Sequence, residues 1–141
     1  MAKTKTFEKL AEPIYIGKVR LKNRMMKNGT GFFWDDPTTG GFMNDRYIGF
    51  FEALAKGGLA LASSAVQPMQ EGPMPGFRIL DDKYIPGWAK WADAVHKHDC
   101  LAFHQLFHLG GMSPLFAKAP AGVAASSISK ELSPRPHFEV A

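Results

Sequence analysis

Ala94 to Gly111 reads AVHKHDCLAFHQLFHLGG. The stretch begins as the end of a helix and becomes a short uncharged run, Leu101 to Leu106, before a Gly110-Gly111 turn. Four to eight apolar residues bounded by turn signals read as a buried strand. Near the far end of that strand a single amide, Gln105, stands among apolar neighbours. A buried amide without a partner costs about 1–3 kcal/mol, so Gln105 is expected to have one. Backbone is one candidate. A ring edge that alternates N–H and C=O is the other, because an amide carries both donors and an acceptor.

Outward toward the N-terminus the same alternation recurs. Pro86 opens a helix with Trp88, Trp91, Ala92 and Val95 on its apolar face, ending near His98. Leu59 to Val66, LALASSAV, is nearly continuous and uncharged, as a strand buried on both faces of a parallel sheet would be. Asn44 or Asp45 can cap a helix in which Tyr47, Phe50, Phe51 and Leu54 share a face, with Gly57-Gly58 at its end. A further strand is expected from about Arg24 to Asn28, followed by Gly29, Thr30 and Gly31. Glycines at a strand end either make a plain turn or let backbone approach a ligand closely. Ile14 and Ile16, then Val19 and Leu21, flank Gly17-Lys18 as a hairpin, and residues 1–12 form a polar leader.

The order is therefore hairpin, then β-α-β-α-β. Strands separated by helices of 10–15 residues imply parallel crossovers. A doubly wound sheet and a (β/α)8 barrel both fit, and both place ligands at the C-terminal ends of strands. The turn Asn28 to Phe33 lacks the GxGxxG spacing of a dinucleotide fold, which favours the barrel. Beyond the third strand, AKAPAGVAA (residues 117–125) and the polar residues 126–141 offer no convincing fourth strand. A barrel takes roughly 250 residues, so only its first part is expected here.

Composition narrows the function. The 141 residues are 45% hydrophobic and 21% charged, enough for a real core. The net charge is +4, but lysines and arginines never run together, so no nucleic-acid partner is expected. A lone cysteine, Cys100, excludes an internal disulfide, fits a reducing, cytoplasmic setting and is read as a small packing residue. No apolar run approaches the ~20 residues of a membrane helix, and no signal-peptide core opens the chain. The loop FFWDDPTTGGF (residues 32–42) is either a binding lip or aromatic packing. His104 and His108 are four apart but sit on a strand, with no glutamate or cysteine partners, so no metal site is expected. The pairs Asp35-Asp36 and Asp81-Asp82 read as solvated loop or helix-start acids.

Four segments, in order and at matching spacing, resemble the N-terminal part of the old yellow enzyme family of flavin-dependent ene-reductases. They are Glu12-Pro13-Ile14 through Leu21-Lys22-Asn23-Arg24, Tyr47 through Leu61, Asp81-Asp82 through His96, and Gln105-Leu106-Phe107-His108-Leu109-Gly110. The likeness runs from about residue 7 to 132. It is nearest the 2,4-dienoyl-CoA, bile-acid and aryl-CoA reductase branch through Gly58 to Leu61 and Ser64-Ala65. The resemblance implies an α/β fold: the floor hairpin and first three β/α units of a TIM barrel, the domain incomplete over residues 1–141. It implies FMN over the C-terminal mouth, lined by Gly29, Thr30, Gly31 and Ala65, with Gln105 on the pyrimidine edge. It further implies NAD(P)H as electron donor, a small-molecule substrate such as an enone or a CoA thioester, and a homo-oligomer. The rest of the barrel, or a partner chain, must complete the site. FAD and a [4Fe-4S] cluster belong to later domains of that branch, and the catalytic residues of the family lie on later strands, beyond residue 141. A truncated, non-catalytic relative serving as an assembly module is the alternative.

The chain also departs from the family pattern. Asn28-Gly29-Thr30 stands where Ala-Pro-Met or Gly-Ser-Met is common, and Gly111 replaces an arginine. Lys27 replaces an apolar residue, and is expected either to face negative charge, of a carboxylate or of reduced flavin, or to snorkel to solvent or pair structurally.

Overall fold

The computed structural model describes residues 7–30, 34, 40–66 and 76–106. A hairpin of β1 (Ile14–Ile16) and β2 (Val19–Leu21) precedes a separate three-stranded sheet of β3 (Met26–Lys27), β4 (Leu61–Val66) and β5 (Leu101–Leu106). The sheet order is β3-β4-β5, and all pairing within it is parallel, with Met26 opposite Leu61 and Leu61 opposite Leu101. Helix α2 (Asp45–Lys56) joins β3 to β4, and α3 (Ile85–His96) joins β4 to β5. This is the β-α-β-α-β order expected from the sequence.

Each helix has a local cause. The Asn44 side chain accepts from the Tyr47 N–H at 3.0 Å and caps α2, while its amide donates to the Trp34 carbonyl at 2.7 Å. At the other end Gly57 N–H returns to the Ala53 carbonyl, and Gly58 takes a φ of +104°, which only glycine adopts freely. Pro86 lies in the first turn of α3, where no intrahelical donor is lost.

The core lies between the two helices and the sheet. Tyr47, Phe51 and Ala55 of α2 meet Trp88, Trp91 and Val95 of α3 over Ala62 of β4 and Cys100. Small residues on the sheet make room for the indoles. Phe51 and Trp91 pack edge to face at 5.4 Å, and Trp88 and Trp91 at 5.7 Å, which suits the ring quadrupoles. The expected helix faces are present with a slight rotation. Ala55 and Ala94 are buried, whereas Phe50, Leu54 and Ala92 are half-buried. Cys100 is buried as expected, and burial pushes its thiol upward, away from reactivity.

A second cluster closes one end. Leu21, Ala60 and Leu61 are buried, with Ile14 and Leu101 packed against them, so the hairpin covers the N-terminal ends of β4 and β5. Residues 21–24, LKNR, lock this floor. Lys22 Nζ donates to the His98 carbonyl. Asn23 Nδ2 donates to the Gly58 carbonyl at 2.7 Å, and its Oδ1 accepts from Met25 N–H at 2.9 Å. Arg24 reaches Glu12 at 3.4 Å.

Three details differ from the sequence reading. The polar leader holds a one-turn helix, α1 (Glu8–Ala11), whose Leu10 carbonyl accepts from Arg24 N–H at 3.0 Å. β3 is shorter than residues 24–28, because the Asn23 side chain takes the Met25 N–H. β4 starts at Leu61 and not Leu59, because Leu59 N–H still returns to the Leu54 carbonyl. The expected absence of a fourth strand falls on residues outside those described.

Candidate functional site at the strand ends

Because β3, β4 and β5 run parallel, their C-terminal ends gather at the end of the sheet opposite the floor. Ala65 pairs with Gln105 in the β4–β5 register. Gly29 and Thr30 follow β3. Gln105 lies across to Gly29 so closely that a Cβ built on Gly29 would overlap its Oε1 and come within 2.8 Å of its Cδ. The missing Cβ therefore permits this close approach, and no positive φ is involved. Four of the five residues expected to hold a cofactor thus lie in or just after the ends of adjacent strands. Gly31 lies outside the described residues. Thr30 and Gln105 are exposed, so the amide is not buried as the sequence led one to expect.

Lys27 belongs to this end too. Its ammonium donates to the Asn28 carbonyl at 2.6 Å and to Thr30 Oγ1 at 2.7 Å, and partial burial lowers its pKa. Asn28 Oδ1 accepts from Gly29 N–H at 2.8 Å. Of the roles expected for Lys27, structural pairing is the one these contacts match.

The aromatic loop resolves toward packing at Trp34. That ring stands edge-on to Phe50 at 5.2 Å, with the Arg46 guanidinium 4.6 Å from its centroid. Phe32 and Phe33 lie outside the described residues.

One pair escaped the sequence reading. Ser64 Oγ, fully buried, lies 2.7 Å from His104 Nδ1. The imidazole sits 4.5 Å from Trp88 and 5.2 Å from Trp91, and burial lowers its pKa. Contact with α3 assigns the pair to the helix-facing layer, where it fastens β4 to β5 beneath the indoles. The signal lay in the parallel register, which sets Ser64 opposite His104. Of the His104 and His108 pair, His108 lies outside the described residues, and no cluster of three His, Cys, Asp or Glu occurs among those described. Nor is any helix among them long and apolar enough to cross a membrane.

Parallel β/α units over a floor hairpin are the arrangement that opens a (β/α)8 barrel. Residues 9–135 match the NADH:flavin oxidoreductase / NADH oxidase family, and the chain belongs to that FMN-binding family. It is 34% identical over 112 residues to N,N-dimethylglycine/sarcosine dehydrogenase of Chromohalobacter salexigens, covering 76% of this chain and 16% of that protein. Among solved structures it superposes on the old yellow enzyme homologue of Zymomonas mobilis with a TM-score of 0.73 and 21% identity, over 94% of this chain and 39% of the other. It also superposes on a 2-naphthoyl-CoA reductase bound to 2-naphthoyl-CoA, with a TM-score of 0.68 and 27% identity, over 75% of this chain and 16% of that one. The chain thus spans well under half the length of each of these relatives.

Proposed function

We propose that this chain forms the floor and first three β/α units of an FMN-binding barrel domain, completed by further β/α units, in an oxidoreductase that reduces an activated C=C bond. The observation that carries this reading is the contact of Gln105 with Gly29 at the open ends of parallel strands. The residues there fit a flat, hydrogen-bonding ring system. Gly29 and Ala65 are small, and Gln105 offers both donors and an acceptor. Bound FMN supplies the hydride chemistry of the reaction. The chain's own part is to hold and orient it, with Gln105 on the pyrimidine edge and Gly29, Thr30, Gly31 and Ala65 along the strand ends. The proton donor and substrate anchors belong to later strands. NAD(P)H as donor follows from the family, and likeness to the 2-naphthoyl-CoA reductase supports an enoyl- or aryl-CoA thioester or an enone as substrate.

A second reading, oxidation of a methylated amine, is favoured by the likeness to the N,N-dimethylglycine/sarcosine dehydrogenase. One experiment separates them. The visible spectrum of the purified full-length protein is recorded, the released flavin is identified by chromatography, and reduction of enones and enoyl-CoA esters is compared with oxidation of methylated amines. Bound FMN with turnover of the alkenes supports the first reading. Amine turnover alone supports the second, and absence of flavin refutes both.

A further inference from the structure

Resting on the FMN reading above, we propose that Lys27 is the positioning residue of the cofactor site, clasping the residues that hold Gly29 against Gln105. Three polar contacts define the segment after β3. Lys27 Nζ holds the Asn28 carbonyl at 2.6 Å and the Thr30 hydroxyl at 2.7 Å, while Asn28 Oδ1 holds the Gly29 N–H at 2.8 Å. Gly29 therefore lies inside a loop whose two ends are tied by one ammonium group. Asn28 and Thr30 are both exposed, so burial does little to fix this segment. Hydrogen bonds from an ammonium are roughly twice as strong as neutral ones. They also offset the entropy of ordering a lysine side chain.

The same contact explains why a charged residue ends β3, after Met25 and Met26. The lysine spans a carbonyl and a hydroxyl that an apolar side chain would leave to water. Gln105 can meet a ring edge only if its amide stays where Gly29 allows it. Whatever fixes Gly29 therefore fixes the amide, and Lys27 acts through these neighbours.

The test is flavin affinity of the full-length protein, read by fluorescence quenching of free FMN on binding, with Lys27→Met, Lys27→Arg, Thr30→Val and the Lys27→Met/Thr30→Val double variant. Loss of the clasp is expected to weaken FMN binding about tenfold in Lys27→Met, the equivalent of one charge-assisted hydrogen bond. Lys27→Arg, whose planar fork can donate to two acceptors, is expected to recover much of the loss. The double variant should bind no worse than the weaker single variant, because both changes break the same clasp. The melting temperature of each flavin-free variant should stay near that of the parent, which excludes a folding defect. Wild-type affinity in Lys27→Met, or strictly additive losses in the double variant, overturns the clasp while leaving the FMN reading intact. Absence of flavin from the parent protein overturns both.

Discussion

Replacing Gly29 by alanine adds one methyl group at the point where two strand ends meet. The new Cβ would overlap Gln105 Oε1 and lie 2.8 Å from its Cδ, yet 3.5 Å from its Cβ, an ordinary contact. The clash is therefore with the far end of a flexible side chain. A rotation of the terminal amide relieves it, and the cost to folding stays at or below the low end of the roughly 1–3 kcal/mol typical of overpacking. The cost to binding is larger, because the displaced amide no longer meets its partner. One or two hydrogen bonds lost at about 1 kcal/mol each amount to roughly five- to thirtyfold in FMN affinity. Flavin titration and thermal unfolding of Gly29→Ala measure the two quantities separately. Gln105→Leu supplies the control: once the amide is gone, Gly29→Ala should weaken binding little further. The reasoning fails if Gly29→Ala binds FMN like the parent. It fails equally if the affinity loss is the same with and without Gln105.

Two other perturbations test the frame around the site. Burial favours the neutral form of His104, so its folded pKa lies below the ordinary value of about 6.5 and the unfolded chain binds the proton more readily. Its contribution to stability is complete above that ordinary value and is lost as the pH falls through it toward the folded pKa. Urea midpoints should therefore drop between neutral and acid pH more in the parent than in His104→Asn, and equal slopes would rule out this role. Asn23→Ala leaves the half-buried Gly58 carbonyl and the Met25 N–H without their partner, and the two hydrogen bonds lost should destabilise the protein by about 1–3 kcal/mol in urea denaturation while leaving the flavin spectrum unchanged.

The fold was legible where one periodicity ruled a segment. Leu101 to Leu106 is a strand with the boundaries expected, and the helix faces of Tyr47 with Phe51 and Trp88 with Trp91 are the ones that build the core. Ends were less legible, because side chains compete for backbone donors there: Asn23 captures the Met25 N–H and shortens β3. Positions along a strand were readable from spacing, so Gly29 and Gln105 stood out as candidates. Contacts between strands were not, since they depend on register. Ser64 with His104 emerges only once β4 and β5 are set side by side. Trp34 shows the same limit. Its sequence allowed a lip or a packing role, and the Phe50 and Arg46 contacts decide for packing.

The tie between Lys22 and the His98 carbonyl joins residues 76 positions apart in the chain. During translation the hairpin precedes the sheet, yet this one of its anchors, unlike those to Gly58 and Leu61, does not exist until the turn after α3 has been made. Closing so long a loop is entropically costly before its contacts repay it. The floor is thus made before the sheet's last strand and completes its anchoring after it. The β-α-β-α-β layer can assemble from neighbouring pieces as they emerge, and the hairpin then docks onto a base already built.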